Sequence, residues 1–147
     1  MHQGGKLAFR SRVQDLEDDP GDRLVVGGDD PPTLAKLVPE GYQDVEIEIG
    51  PGKGAFVVAA TEVKPDTFLL GIEAAAGYAS LAATKLNETG RKNGLFLIDN
   101  GKLFLEDRVE DAALAAVHVY FPDPWPKRRH RGRRFFTEDV RAVIARV

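Results

Sequence analysis

The sequence predicts an α/β fold in which helices cover a mainly parallel sheet. Three observations carry that expectation. From Asp44 onward, short apolar runs of strand length alternate with segments of helical composition, the pattern that parallel crossover connections produce. The first run closes on a glycine-rich turn, Gly50-Pro51-Gly52-Lys53-Gly54, with a helix opening directly behind it. Each later run ends on a polar residue or a turn, as at Glu73, Asp99-Asn100 and Pro122-Asp123.

Residues 1–40 read as an N-terminal arm, partly irregular. Acids cluster from Asp15 to Asp22, and Pro20, Gly21, Gly27, Gly28, Pro31 and Pro32 interrupt regular structure, leaving Leu24 to Val26 as a short strand. Residues 41–147 form the one domain. Its first strand runs from Val45 to Ile49, where Val45, Ile47 and Ile49 share a face at period two. Ala55 to Ala60 opens a helix. Phe68 to Ile72 is a fully buried second strand ending at Glu73, and Ala74 to Glu88 is an alanine-rich helix closed near Gly90, where glycine takes the left-handed capping conformation. Leu95 to Ile98 is the third strand, with Asp99-Asn100-Gly101 as its turn, and Leu103 to Leu114 is helical or irregular. Val117 to Phe121 is the fourth strand, stopped by Pro122. Thr137 caps a last helix that carries Glu138 and Asp139 in its first turn.

Composition narrows the function classes. A chain of 147 residues, 43% hydrophobic and 29% charged, suffices for one domain with a modest core. The absence of cysteine excludes disulfides, Cys-ligated zinc, iron–sulfur clusters and thiol nucleophiles, and three scattered histidines make a poor ligand set, so no metal is expected. Met1 to Lys6 lacks the apolar stretch of an export signal, and no apolar run reaches the ~20 residues of a membrane-spanning helix. A cytoplasmic protein with no membrane partner is the expectation.

Charge is distributed unevenly. Lys127, Arg128, Arg129, Arg131, Arg133 and Arg134 lie within eight positions that hold no acid; taking these six from a net charge of −3 leaves −9 elsewhere. A positive field focused on one short segment of an acidic surface suits a local phosphate contact, although most such runs are solvated loops. Here the run adjoins Asp123, set between Pro122 and Pro124, which remove competing backbone donors and fix the direction of approach.

The glycine turn has the order G-x-G-x-G behind a strand-end acid, Glu48, which differs from the G-x-G-x-x-G of dinucleotide sites and matches the form seen with S-adenosylmethionine. Such turns also serve tight helix–strand packing. Glu73 follows the last glycine by 19 residues, close to the ~20 at which an acid meets ribose hydroxyls. Asp99 and Asn100 end the third strand on the same sheet edge, where an acid or amide meets an adenine amino group or merely forms a turn. Asp123 closes the fourth strand beside the crevice in which open α/β sheets bind ligands. Methyl transfer from a sulfonium needs chiefly a lone pair held about 3 Å from the carbon, with water excluded. If that lone pair is N7 of guanine, no proton is lost, and a carboxylate at Asp123 grips the base and offsets its developing positive charge. Trp125 is either a stacking face for a splayed base or a packing anchor. His118, inside the fourth strand, reads as a packed strand residue.

Val45 to Phe56, Gly71-Ile72-Glu73 and above all Phe121-Pro122-Asp123-Pro124-Trp125-Pro126-Lys127-Arg128-Arg129-His130 with Arg133-Arg134 resemble the bacterial tRNA (guanine-N7)-methyltransferases, over about Gln43 to Val147. The resemblance implies a class I methyltransferase fold, a Rossmann-like doubly wound sheet of seven strands, and transfer of methyl from S-adenosylmethionine to N7 of a guanine in the tRNA variable loop. By position it implies cofactor contacts at Glu48, Gly50, Glu73, Asn100 and Asp123, with Asn100 standing where many members have aspartate. Asp123 would be the catalytic residue, Lys127 would contact substrate, and Arg129, Arg131, Arg133 and Arg134 would contact RNA phosphates, in keeping with the charge argument. Members of the family continue into three further strands bearing a Thr-Asp and a Thr-x-x-Glu element. This sequence ends at Val147, so the fold is expected to be incomplete at its C-terminus, with the fourth strand at an edge. Two other readings stand beside this one: an RNA-binding remnant of the family without turnover, and a methyltransferase directed at the amino group of adenine.

Overall fold

The structure is a computed structural model that describes residues 18–120, Arg129 and residues 135–147. Among these residues five strands form one sheet: β1 (Leu24–Val26), β2 (Asp44–Ile49), β3 (Thr67–Glu73), β4 (Gly94–Ile98) and β5 (Ala116–His118). All pairings are parallel, in the spatial order β1-β4-β3-β2-β5. The helices are α1 (Leu34–Leu37), α2 (Ala55–Val63), α3 (Ala76–Thr89), α4 (Gly101–Asp107) and α5 (Glu138–Arg146).

Alternation along the strands divides the core between two faces. Ile47, Phe68, Leu70, Ile72, Leu95 and Leu97 pack with Leu34, Phe104, Leu105 and Val147 on one side. Leu69 and Phe96 pack with Val57, Ala60, Ala82, Ala83 and Leu86 on the other. Helices therefore cover both faces of the sheet, and β3 and β4 are apolar along nearly their whole length because each lies between two layers. Each fully buried Leu, Ile or Phe in these layers contributes roughly 1.5–3 kcal/mol relative to exposure.

The strands read from the pattern are present with small changes at their ends. The short strand at Leu24 to Val26 exists and lies outermost, paired with β4, while Leu34 enters the core. The segment read as helical or irregular from Leu103 to Leu114 resolves into a helix that starts at Gly101 and ends at Asp107, followed by irregular chain. The fourth strand of the sequence reading begins at Ala116 and is regular only through His118; Phe121 lies outside the described residues. Gly90 closes α3 at φ 72°, and Thr137 caps α5, its hydroxyl accepting from the Val140 N–H at 3.4 Å. Among the described strands β5 is an edge, paired only with β2. No helix among the described residues is long and apolar enough to cross a membrane.

Candidate functional site

Parallel strands bring their carboxyl ends to one edge of the sheet, and the acids and glycines of interest gather there. β2 delivers Glu48 and then the turn Gly50 to Gly54; β3 delivers Glu73; β4 delivers Asp99 and Asn100. The turn stands because each of its bends is braced. Gly50 donates to the Ile72 carbonyl at 2.9 Å, Gly52 donates to Glu73 Oε1 at 3.1 Å, and Gly54 donates to the Pro51 carbonyl at 2.9 Å. Gly54 begins α2 in the left-handed region, φ 82°, and a Cβ there would lie 2.6 Å from the Ala82 Cβ and 2.9 Å from the Phe96 ring. Only glycine meets both demands. Gly50 and Gly52 differ: nothing lies within 4 Å of the position of a Cβ, so the backbone is open to a ligand.

Glu73 organises this corner. Its two oxygens accept from the N–H groups of Gly52 (3.1 Å) and Ala75 (2.9 Å), joining the glycine turn to the start of α3. Each oxygen keeps a further lone pair for a donor such as a ribose hydroxyl. Glu48 is in a different state. It is 5% exposed, and its buried Oε1 has no hydrogen-bond partner in the structure. Burial, and next the negative charge of Glu73, push its carboxyl from 4.5 up to about 7. An unpartnered acceptor whose ionised form lacks a cation, set behind an open glycine turn, fits a ligand that brings positive charge and N–H donors. The amino-acid end of S-adenosylmethionine does both, so the residues present fit that cofactor.

Asn100 serves as N-cap of α4, its Oδ1 accepting from the Leu103 N–H at 3.1 Å, while Asp99 Oδ1 accepts from the Asn100 N–H at 2.8 Å. The turn role foreseen for Asn100 is thus present, and its side chain lies at the same sheet edge as Glu73. Arg129 is exposed. Asp123, Lys127, Arg131, Arg133 and Arg134 lie outside the described residues. No group of three or more potential metal ligands occurs among the described residues.

Sequence reasoning passed over Glu46. The residue is 7% exposed, and its carboxylate takes both the Lys64 ammonium (2.9 and 3.1 Å) and His118 Nε2 (2.8 Å). Burial alone would raise its carboxyl, but the hydrogen bonds and charges of Lys64 and His118 outweigh that and hold it below its ordinary value. His118, read as a packed strand residue, also contacts Tyr120: Nδ1 lies 2.8 Å from the Tyr120 hydroxyl. The signal was in the alternation. In Val45-Glu46-Ile47-Glu48-Ile49 both acids point away from the apolar face of a strand buried on both sides, a conflict that marks groups with partners or ligands.

Comparison with known proteins finds relatives over most of the chain. A family model described as "Putative methyltransferase" matches residues 42–147. The tRNA (guanine-N(7)-)-methyltransferase of Rhodopirellula baltica is 43% identical over 107 residues, 66% of this chain and 38% of that protein. The enzyme of the same name from Geobacillus kaustophilus is 35% identical over 71% of this chain and 48% of its own length, and that of Paramagnetospirillum magneticum is 35% identical over 95% and 60%. The chain thus spans between 38% and 60% of these relatives. Among solved structures, the antibiotic-resistance methyltransferase Kmr aligns with TM-score 0.45 and 26% identity over 63% of this chain and 46% of that one. With the family match running from Tyr42 through the glycine turn to Val147, the chain belongs to the methyltransferase family that this model describes.

Proposed function

We propose that the protein transfers a methyl group from S-adenosylmethionine to N7 of a guanine in tRNA, in the variable loop. The observation that carries the reading is the corner built by Glu48, Gly50, Gly52 and Glu73, an open turn with one orphaned carboxylate oxygen and one braced carboxylate. The tRNA (guanine-N(7)-)-methyltransferases among its relatives support the substrate. Bound cofactor supplies an electrophilic methyl on a sulfonium. The Gly50 to Gly54 turn and Glu73 hold its nucleoside end, with Asn100 on the adenine side, and Glu48 offsets the positive charge of its amino-acid end. Asp123 grips the guanine and offsets the charge its ring acquires, which leaves positioning as the main catalytic work. Lys127 meets the substrate, and Arg129, Arg131, Arg133 and Arg134 neutralise phosphates, so affinity for tRNA falls steeply with salt. Action on tRNA accords with a cytoplasmic site of work.

Radiolabelled methyl transfer to bulk tRNA, followed by nucleoside analysis, tests the reading. The expected product is 7-methylguanosine, lost on Asp123→Ala. Equal incorporation by both proteins refutes the role of Asp123. Methylated adenine as product, or salt-sensitive tRNA binding with no affinity for the cofactor, refutes the assigned reaction.

A further inference from the structure

Glu46, His118 and Tyr120 form a line of hydrogen bonds that runs outward from β2 through β5, the outermost of the described strands on that side. Glu46 lies on β2, one strand inward; Lys64, just past α2, holds one end of its carboxylate. His118 is the last residue of β5, in register with Glu48, and its side chain is 18% exposed. With Glu46 ionised, His118 Nε2–H donates to the carboxylate, and Nδ1 shares a hydrogen bond with the Tyr120 hydroxyl. Phe56, in the first turn of α2, packs on both rings, with centroids 4.6 Å from His118 and 4.9 Å from Tyr120. Tyr120 itself is 50% exposed and outside regular structure, and among the described residues the imidazole and the Phe56 ring anchor it.

A buried carboxylate shared between a lysine and a histidine costs desolvation that an apolar residue would avoid. The arrangement does accomplish something else. β5 leaves the sheet after only three residues, and Tyr120 precedes by three the aspartate between two prolines. Phe56 follows the glycine turn by two residues, so one aromatic cluster touches both the start of the helix behind that turn and the root of the segment carrying Asp123.

We propose that Glu46, His118 and Tyr120 are positioning residues: a tether that sets the root of the segment after β5 in a defined place relative to the glycine turn. The catalytic consequence rests on the role given to Asp123 above; the mechanical consequence does not. Both are measurable, because Trp125, five residues beyond Tyr120, is the only tryptophan of the chain, so its fluorescence reports on that segment alone.

Tyr120→Phe removes one hydroxyl and keeps the ring that packs on Phe56. His118→Gln keeps an N–H at the position of Nε2 for Glu46, and its amide oxygen, on the same carbon, no longer lies where Nδ1 meets Tyr120. If the tether acts through that one bond, each variant changes the acrylamide quenching of Trp125, and the double variant changes it no more than either single one. Arg91→Ala is the control. It breaks bonds to Thr61 Oγ1 and the Val58 carbonyl, neither of which is bonded to Glu46, His118 or Tyr120, so it lowers the melting temperature while leaving Trp125 unchanged. Unaltered quenching in Tyr120→Phe, additive effects in the double variant, or an equal response in Arg91→Ala overturns the tether. Should Tyr120→Phe fail to fold, His118→Gln and Glu46→Gln carry the same comparison. In methyl transfer, Tyr120→Phe lowers kcat about five- to tenfold, the loss of one hydrogen bond, with cofactor affinity unchanged. Absence of methyl transfer by the unsubstituted protein would count against the proposed reaction and leave the fluorescence result to decide the tether.

Discussion

Glu48→Gln separates the stability of this protein from its ligand chemistry. In the folded chain the Glu48 carboxyl is raised from 4.5 to about 7, first by burial and then by the charge of Glu73. The unfolded chain releases that proton near 4.5, so between these values the folded state binds more protons and loses stability as pH rises. The loss is nearly absent at pH 4, grows through the window, and levels off above pH 7 at about 3 kcal/mol, the shift multiplied by ~1.4 kcal/mol per unit. Glutamine does not ionise, so the variant should match the parent near pH 4 apart from a constant offset and gain about 3 kcal/mol on it by pH 8. For a chain of this size that corresponds to roughly 6–12 °C in melting temperature. Glu46, held low by Lys64 and His118, contributes stability that is lost as pH falls through its folded value, and since both proteins carry it the difference between them is unaffected. Thermal scans of both proteins from pH 4 to pH 8 make the measurement. A difference in melting temperature that stays constant with pH would refute the idea that Glu48 is an uncompensated buried acid. At pH 8 the more stable variant should bind S-adenosylmethionine more weakly by calorimetry, since the charge that destabilises the empty site is the one that meets the ligand.

Three other substitutions have consequences that follow from the geometry. Gly54→Ala forces a Cβ against Ala82 and Phe96 at a left-handed backbone position and should cost about 2–4 kcal/mol, read as a lower urea midpoint with an unchanged slope. Asn93→Ala removes the buried amide that donates to the carbonyls of Thr61, Lys64 and Thr67 at 3.1 to 3.2 Å, and the acceptors left behind should lower stability by about 2–3 kcal/mol in urea denaturation. Arg146→Ala loses bonds to the carbonyls of Leu105 and Val109 and to Asp111 that tie α5 to the end of α4. A loss of about 1.5–3 kcal/mol is expected, and Arg146→Lys should recover little of it because an ammonium lacks the guanidinium fork. Because most of those acceptors are backbone carbonyls rather than exposed carboxylates, the Arg146→Ala loss should change little between low and high salt; a loss that disappears in high salt would refute this account.

Much of the architecture was legible because its signals are local. Period-two alternation marks β2, uninterrupted apolar runs mark β3 and β4 as strands covered on both faces, and Gly90 and Thr137 mark helix ends through backbone and capping chemistry that needs no distant partner. Spacing also placed Glu48, the glycine turn, Glu73 and Asn100 at one edge, since parallel strands send their carboxyl ends the same way. What the chain alone could not supply depends on partners remote in sequence. The pairing of β1 with β4, seventy residues away, arises from tertiary packing, as does the end of regular structure in β5 at His118. Whether an acid is satisfied is likewise a property of its surroundings. Glu46 and Glu48 sit two residues apart on the same face of one strand, yet Lys64 and His118 hold the first ionised, while the second, beside Glu73 and with one oxygen unpaired, keeps its proton up to about pH 7. Periodicity assigns both side chains to the face opposite Val45, Ile47 and Ile49, and only the folded arrangement of distant groups decides which one waits for a ligand.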